Sequence, residues 1–331
     1  MGCFGGCGET APAETTPATT EAPTVTENPE EAKTLKVLTL GHSLATNATK
    51  MLALVAKAEG YEDMVVGTLY YSGCTLKQHV GFQTNDSREY LLYVSSSATG
   101  DVPPEKIEDI SMREAIVYDY WDIVIMQGGL FELAIPVSYT DGNIETIQNY
   151  VNEHKLNPNA VFGWHFPWVP ATIPELQSES VGNKYVAYGN DRSKLFHAIG
   201  EQTGQYILTN DVFTCLIPSG AAVENAITSY LGEEDLLCDY AHATDLGRLI
   251  AAYTWYCVLA GVEQLETISL DAIPARFVAT SIVAGDRILT EDDKALIVES
   301  VNNALKNPLT ITQSQYQQEP AGYVPVKNQD G

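Results

Sequence analysis

The sequence predicts a three-layer α/β/α sandwich around a mainly parallel sheet, and three observations carry that expectation. Short apolar runs bounded by turn residues alternate with stretches of helical periodicity. The tripeptide Gly41-His42-Ser43 closes the first apolar run, where a strand hands over to a helix. Far downstream, Asp239-Tyr240-Ala241-His242 stands just ahead of another helical stretch.

The elements follow in order. A first strand, Leu35 to Leu40, leads through Ser43 into a helix from about Ala45 to Glu59, where Met51, Leu52, Leu54, Val55 and Ala58 recur at helical spacing. A second strand, Met64 to Tyr71, ends at Gly73. The polar, irregular stretch from His79 to Pro104 breaks the pattern and is expected as a hairpin or as a loop over the site. Ile123 to Gln127 is a short run of the fully buried kind, followed by a helix from Gly142 to Lys155 and a strand from Ala160 to Phe166. Helices are expected at Tyr185 to Thr203, Ala221 to Leu231 and Asp245 to Ala260, with a weak strand at Tyr206 to Leu208. Thr290-Glu291-Asp292-Asp293 opens a capped amphipathic helix that runs to Leu305. One domain, 34–306, accounts for all of this, and 307–331 is expected as a polar, loosely packed tail.

Composition narrows the function. The chain has 331 residues, 45% of them hydrophobic, enough for a full core. Eighteen Lys and Arg against 43 Asp and Glu give a formal charge of -25, which argues against nucleic acid and anionic lipid surfaces, since both are bound through clustered cations. A small-molecule or glycan ester suits such a surface better. Residues 1–33 are different material: Thr, Pro, Ala and Glu, with no basic residue before Lys33. Such a segment cannot offset its ordering entropy by burial and is expected to be disordered, a tether with a reach of roughly 25–30 Å. Cys3 and Cys7 at its start make it look like the linker behind the acylated cysteine of an exported bacterial lipoprotein. Cys74, Cys215, Cys238 and Cys257 have no metal spacing and are expected as buried thiols, with a Cys215–Cys238 bridge as the alternative for an exported chain.

Ser43, Asp239 and His242 are the residue types of nucleophile, orienting acid and base. In an open parallel sheet ligands collect outside the carboxyl ends of the strands, and Ser43, Gly73, Gln127 and His165 all follow predicted strands at that edge. The Ser43 N–H would face a developing oxyanion, and Gly73, lacking a side chain, could bring its own N–H close. Each has a plainer alternative: Ser43 as a helix cap, Gly73 as a turn glycine, Gln127 as a buried structural amide and His165 as a core histidine. Trp164 and Trp168 either stack on a sugar or fill the core, and His42 is a weaker substrate contact. Other chemistries lack their motifs: no Gly-x-Ser-x-Gly, no phosphate-binding loop, no dinucleotide fingerprint and no His-Glu-x-x-His. His79, His165 and His242 have no ligand spacing, so no metal or cofactor is expected.

Read together, Gly41-His42-Ser43-Leu44, Tyr71-Ser72-Gly73-Cys74-Thr75-Leu76, the stretch from Trp121 to Gly129 and Asp239-x-x-His242 resemble, in order, the blocks of the SGNH (GDSL-type) hydrolases. Tyr188-Gly189-Asn190-Asp191, Ile217-Pro218-Ser219-Gly220 and Gly247-Arg248 resemble a bacterial SGNH-like branch of unassigned function. The resemblance spans Leu35 to Ala260 and implies an SGNH/flavodoxin-like fold, a Ser43-His242-Asp239 triad and an oxyanion hole from Ser43 and Gly73. Two positions depart from the pattern: His42 replaces the usual acid, and Gln127-Gly128-Gly129 stands where the family places an asparagine donor. Gln127 could supply that donor from a longer side chain, with His165, Trp168 and His42 lining the substrate side. The expected function is O-deacylation of carbohydrate or cell-envelope esters at a bacterial surface. The competing expectation is a surface glycan-binding lipoprotein that no longer hydrolyses anything.

Overall fold

The apolar run that opens the domain becomes the middle of the sheet. The computed structural model describes residues 34–100, 104–174, 184–271 and 289–321, together with 176, 182, 273 and 323. Its strands are β1 (Thr34–Gly41), β2 (Asp63–Tyr70), β3 (Tyr90–Ser96), β4 (Glu105–Ile110), β5 (Ile123–Met126), β6 (Val161–His165) and β7 (Phe213–Ile217). They form a seven-stranded sheet in the order β4-β3-β2-β1-β5-β6-β7. β2, β1, β5, β6 and β7 run parallel, while β3 pairs antiparallel with β2, and β4 with β3. The expected sandwich with a mainly parallel sheet is therefore the fold.

Burial explains which strands were plain in the sequence. All four residues of β5 are buried, as a central parallel strand covered on both faces requires. β4, Glu-Lys-Ile-Glu-Asp-Ile, is mostly exposed at the sheet's edge. Two groups of helices flank the sheet. Helices Ser43–Thr49, Leu52–Ala58, Ser219–Ile227, Asp245–Ala260 and Glu291–Lys306 pack among themselves, and Leu76–Thr84, Met112–Ile116 and Asn143–His154 form another group. Thr244 caps the helix that follows the Asp239–His242 turn, and the cap expected at Thr290 is a capping box with Asp293.

Several expectations change. The single helix after Ser43 is two, broken between Thr49 and Leu52. The stretch from His79 to Pro104 covers most of a helix, Leu76–Thr84, and β3, whose hairpin with β4 extends the sheet beyond β2. Tyr206 ends the helix Arg192–Tyr206, so the weak strand is absent there and the last strand lies at Phe213–Ile217. Residues 307–321 are tied down rather than loose: Thr312 N donates to Asn225 Oδ1 at 2.6 Å, and Tyr230 N to Tyr316 O at 3.0 Å. Cys215 and Cys238 are free thiols, as are Cys74 and Cys257. Residues 1–33, expected as a tether and carrying Cys3 and Cys7, lie outside the described residues.

Candidate active site

The strand order reverses at β1, whose neighbours β2 and β5 lead away in opposite directions, and this switch point is where doubly wound sheets open a crevice. A cavity of about 370 Å³ lies there, lined by His42, Ser43 and Leu44 after β1, Gly73 and Thr75 after β2, and Gly129 to Glu132 after β5. Lys184, Tyr240 and Ala241 complete the wall.

Ser43 is half-buried and begins the helix Ser43–Thr49. Gly41 before it has no room for a side chain, since a Cβ would stand 2.8 Å from both Ala45 Cβ and Gln127 Oε1. Gly73 is exposed at φ +60, a left-handed conformation that glycine adopts without strain. Among the described residues, the N–H groups of Ser43 and Gly73 have no hydrogen-bond partner.

Asp239 and His242 form a compact unit. Asp239 Oδ2 accepts a 2.6 Å hydrogen bond from His242 Nδ1, while Oδ1 accepts from the backbone N–H groups of Ala241 at 2.8 Å and His242 at 2.7 Å. Partial burial opposes ionisation, yet the hydrogen bonds from His242 and Ala241 hold the Asp239 carboxyl down to about 2. Asp239 is thus an acceptor only, which puts a proton on Nδ1 and turns Nε2 away from the carboxylate. The turn is fixed from behind: Trp168 Nε1 donates to Ala241 O and Ala171 N to Tyr240 O, each at 2.8 Å. No hydrogen bond joins Ser43 Oγ to His242 Nε2 in this arrangement.

Behind the cavity lies a buried polar cluster. Gln127 is fully buried; its Oε1 accepts from His42 N at 3.2 Å, which turns its amide nitrogen to His165 Nδ1 at 2.9 Å. His42 Nδ1 accepts from Leu44 N at 3.4 Å, so Nε2 carries the proton and donates to Gly128 O at 3.1 Å. Burial pushes His42 down to about 4 and His79 and His165 down to about 3. These three are neutral imidazoles.

The cluster corrects three expectations. Gln127 is a structural amide whose polar atoms are turned to His42 and His165, not to the cavity. His165 is a core histidine against Trp255, with ring centroids 5.0 Å apart. Trp168 is buried and supports the Asp239–His242 turn, so it has no face for a substrate, and Trp164 is buried as well. His42 borders the cavity, but both of its ring nitrogens are committed. The residues that the sequence did not point to are Asn47, Glu132, Phe131, Lys184 and Tyr240. Glu132 Oε1 accepts from Leu76 N at 3.0 Å, tying the glycine block of β2 to the loop after β5. Lys184 Nζ stands 4.9 Å from the centre of the Phe131 ring. Of these, Tyr240 alone had a local signal, standing inside the Asp239–His242 block.

Fold and site define a doubly wound α/β protein with a carboxylate–histidine pair beside a switch-point cavity. The chain belongs to the DUF4886 family, a domain of unknown function, whose family model matches residues 36–273. It is similar to the crystal structure of a DUF4886 family protein from Bacteroides uniformis, with a TM-score of 0.70 and 22% identity over 86% of this chain and 100% of that one. A candidate SGNH hydrolase from Slackia heliotrinireducens has a TM-score of 0.42 and 18% identity over 67% of this chain and 97% of its own, a slight likeness. No curated protein sequence matches.

Proposed function

We propose that the chain is a serine ester hydrolase of the SGNH type. Ser43 Oγ attacks the acyl carbon while His242 Nε2 takes its proton, and the same proton then goes to the leaving alcohol. Asp239 keeps the imidazole in the required tautomer and stabilises the imidazolium. The tetrahedral oxyanion rests on the N–H groups of Ser43 and Gly73. Water, activated by His242 in turn, releases the acid from the acyl-enzyme. These residues complete the cycle without a cofactor.

One observation carries this reading: the 2.6 Å Asp239–His242 contact sits on a turn whose Tyr240 and Ala241 line the same cavity as Ser43. A fluorophosphonate probe should label Ser43 and leave the Ser43→Ala variant unlabelled. An unlabelled wild-type chain, folded by thermal melting, would sink the reading.

For substrate, we propose an O-acylated carbohydrate or another cell-envelope ester. Phe131 and Tyr240 line the cavity and would pack against a sugar ring, and the acidic composition disfavours nucleic acid. In the same proposal Cys3 or Cys7 carries a lipid and holds the domain at a bacterial surface. Precursor expressed in its host should then partition with membranes, and deletion of residues 1–32 should release it without moving the melting temperature.

A second reading, a glycan-binding lipoprotein without turnover, is favoured by two facts: Ser43 Oγ and His242 Nε2 share no hydrogen bond, and the Gln127 amide is committed to His165. It predicts glycan retention that Ser43→Ala does not alter, with no acyl release by either form.

A further inference from the structure

Hydrolysis by this chain requires two distant pieces of backbone to keep register: the helix that Ser43 begins and the turn that carries His242. Resting on the hydrolase reading above, we propose that Asn47 is the positioning residue that holds them together. Three contacts meet on its side chain. Asn47 Nδ2 donates to Ser43 O at 3.0 Å. Asn47 Oδ1 accepts from Ala243 N at 2.9 Å, next to His242 and 196 residues away in sequence. The same oxygen accepts from Arg248 Nε at 3.2 Å, one turn into the helix that follows.

The chemistry of the amide explains the choice. One end must donate to a carbonyl while the other accepts from an N–H and a guanidinium, which a planar carboxamide does with both ends fixed. Arg248 is itself fixed by Asp245, with Nη1 at 2.6 Å from Oδ1, so the acceptor end cannot rotate away without leaving two donors unpaired. Asn47 is 9% exposed, at the edge of a cavity that Arg248 also lines. Asp239 and Trp168 fix the internal shape and the back of the turn. Asn47 alone among these residues also bonds to the nucleophile's own backbone, so it sets the Ser43 to His242 distance rather than the shape of either part.

Asn47→Leu replaces both polar ends with methyl groups on a similarly branched, somewhat larger side chain, and Asn47→Asp keeps the acceptor for Ala243 and Arg248 while losing the donor to Ser43 O. With p-nitrophenyl acetate, Asn47→Leu should lower kcat by about 10- to 100-fold with KM little changed, since small misplacements of a reacting pair cost on that order. Asn47→Asp should recover part of that loss. The second readout does not need turnover: modification of His242 by diethyl pyrocarbonate, followed by mass spectrometry, should differ in rate between wild type and Asn47→Leu, with thermal melting confirming that both are folded. Unchanged kcat per folded molecule, or an unchanged His242 modification rate, overturns the role of Asn47. A wild type that neither turns over nor labels at Ser43, yet shows the altered His242 rate in Asn47→Leu, overturns the hydrolase reading and leaves the clamp standing.

Discussion

His242 and His165 are the same residue type near the same cavity, yet their surroundings give them opposite chemistry. His242 stands on a turn, with an ionised carboxylate on Nδ1 and its other nitrogen open. His165 lies at the end of β6 with no exposure, takes one hydrogen bond from Gln127 and is held neutral by burial. A strand-end position suggests function for either. What separates them is the orienting acid: a base needs a partner that fixes its tautomer and receives its positive charge, and a buried imidazole without one resists protonation.

Loss of the pair at the rim should be the most costly. Ser43→Ala and His242→Ala should each abolish ester turnover, by about 10⁴-fold or more, and the double variant should be no worse than either, because nucleophile and base act as one unit. Additive losses measured with one activated ester would mean that the two do not cooperate. Asp239→Asn should cost about 10³–10⁴ in turnover, since the ring would lose its required tautomer while keeping its place. In contrast, His165→Phe should cost stability and leave turnover per folded molecule within about threefold.

The buried group should show itself through pH instead. His42, His79 and His165 have folded-state pKa values pushed from 6.5 to about 4, 3 and 3. The unfolded chain therefore binds more protons than the folded one below about pH 6.5, and folding stability should fall as pH drops from there towards 4. The slope approaches about 1.4 kcal/mol per pH unit for each histidine whose protonation the fold withholds. Asp239 acts lower down: with its carboxyl depressed from 3.8 to about 2, its contribution is present above pH 3.8 and is lost as pH falls through 2. Urea denaturation between pH 7 and pH 4 checks the histidines, its extension to pH 2 checks Asp239, and His165→Phe should flatten the upper part of the curve. A flat wild-type curve would mean that the imidazoles are hydrated.

How much of this was legible depends on whether the signal was local. β1, β2, β5 and β6 were readable to within a residue or two because strands covered on both faces must be apolar throughout. The helix Leu76–Thr84 was not, because its buried positions are Leu76, His79 and Gln83, two of them polar, so no apolar stripe exists to be seen. Likewise the Asp239–His242 contact spans three residues and could be read from spacing. The burial of His165 depends on Trp255 arriving from the helix Asp245–Ala260, and the role of Asn47 depends on Ala243. Neither leaves a mark in neighbouring residues.

Gln127 stands between the two regions, and its loss should cost turnover least. An oxyanion donor lost to alanine costs about 10²–10³ in turnover with little change in affinity. The geometry predicts otherwise here, because Oε1 is held by His42 N, one Nε2 hydrogen by His165 Nδ1, and the fully buried Gln127 is not among the residues that line the cavity. Gln127→Ala should therefore lower stability by about 1–3 kcal/mol through the partners left unpaired, with turnover per folded molecule within a few-fold of wild type. Thermal melting and kcat on one preparation separate the outcomes. A loss of turnover at unchanged stability would place an amide N–H at the oxyanion and move Gln127 from the buried cluster to the working rim.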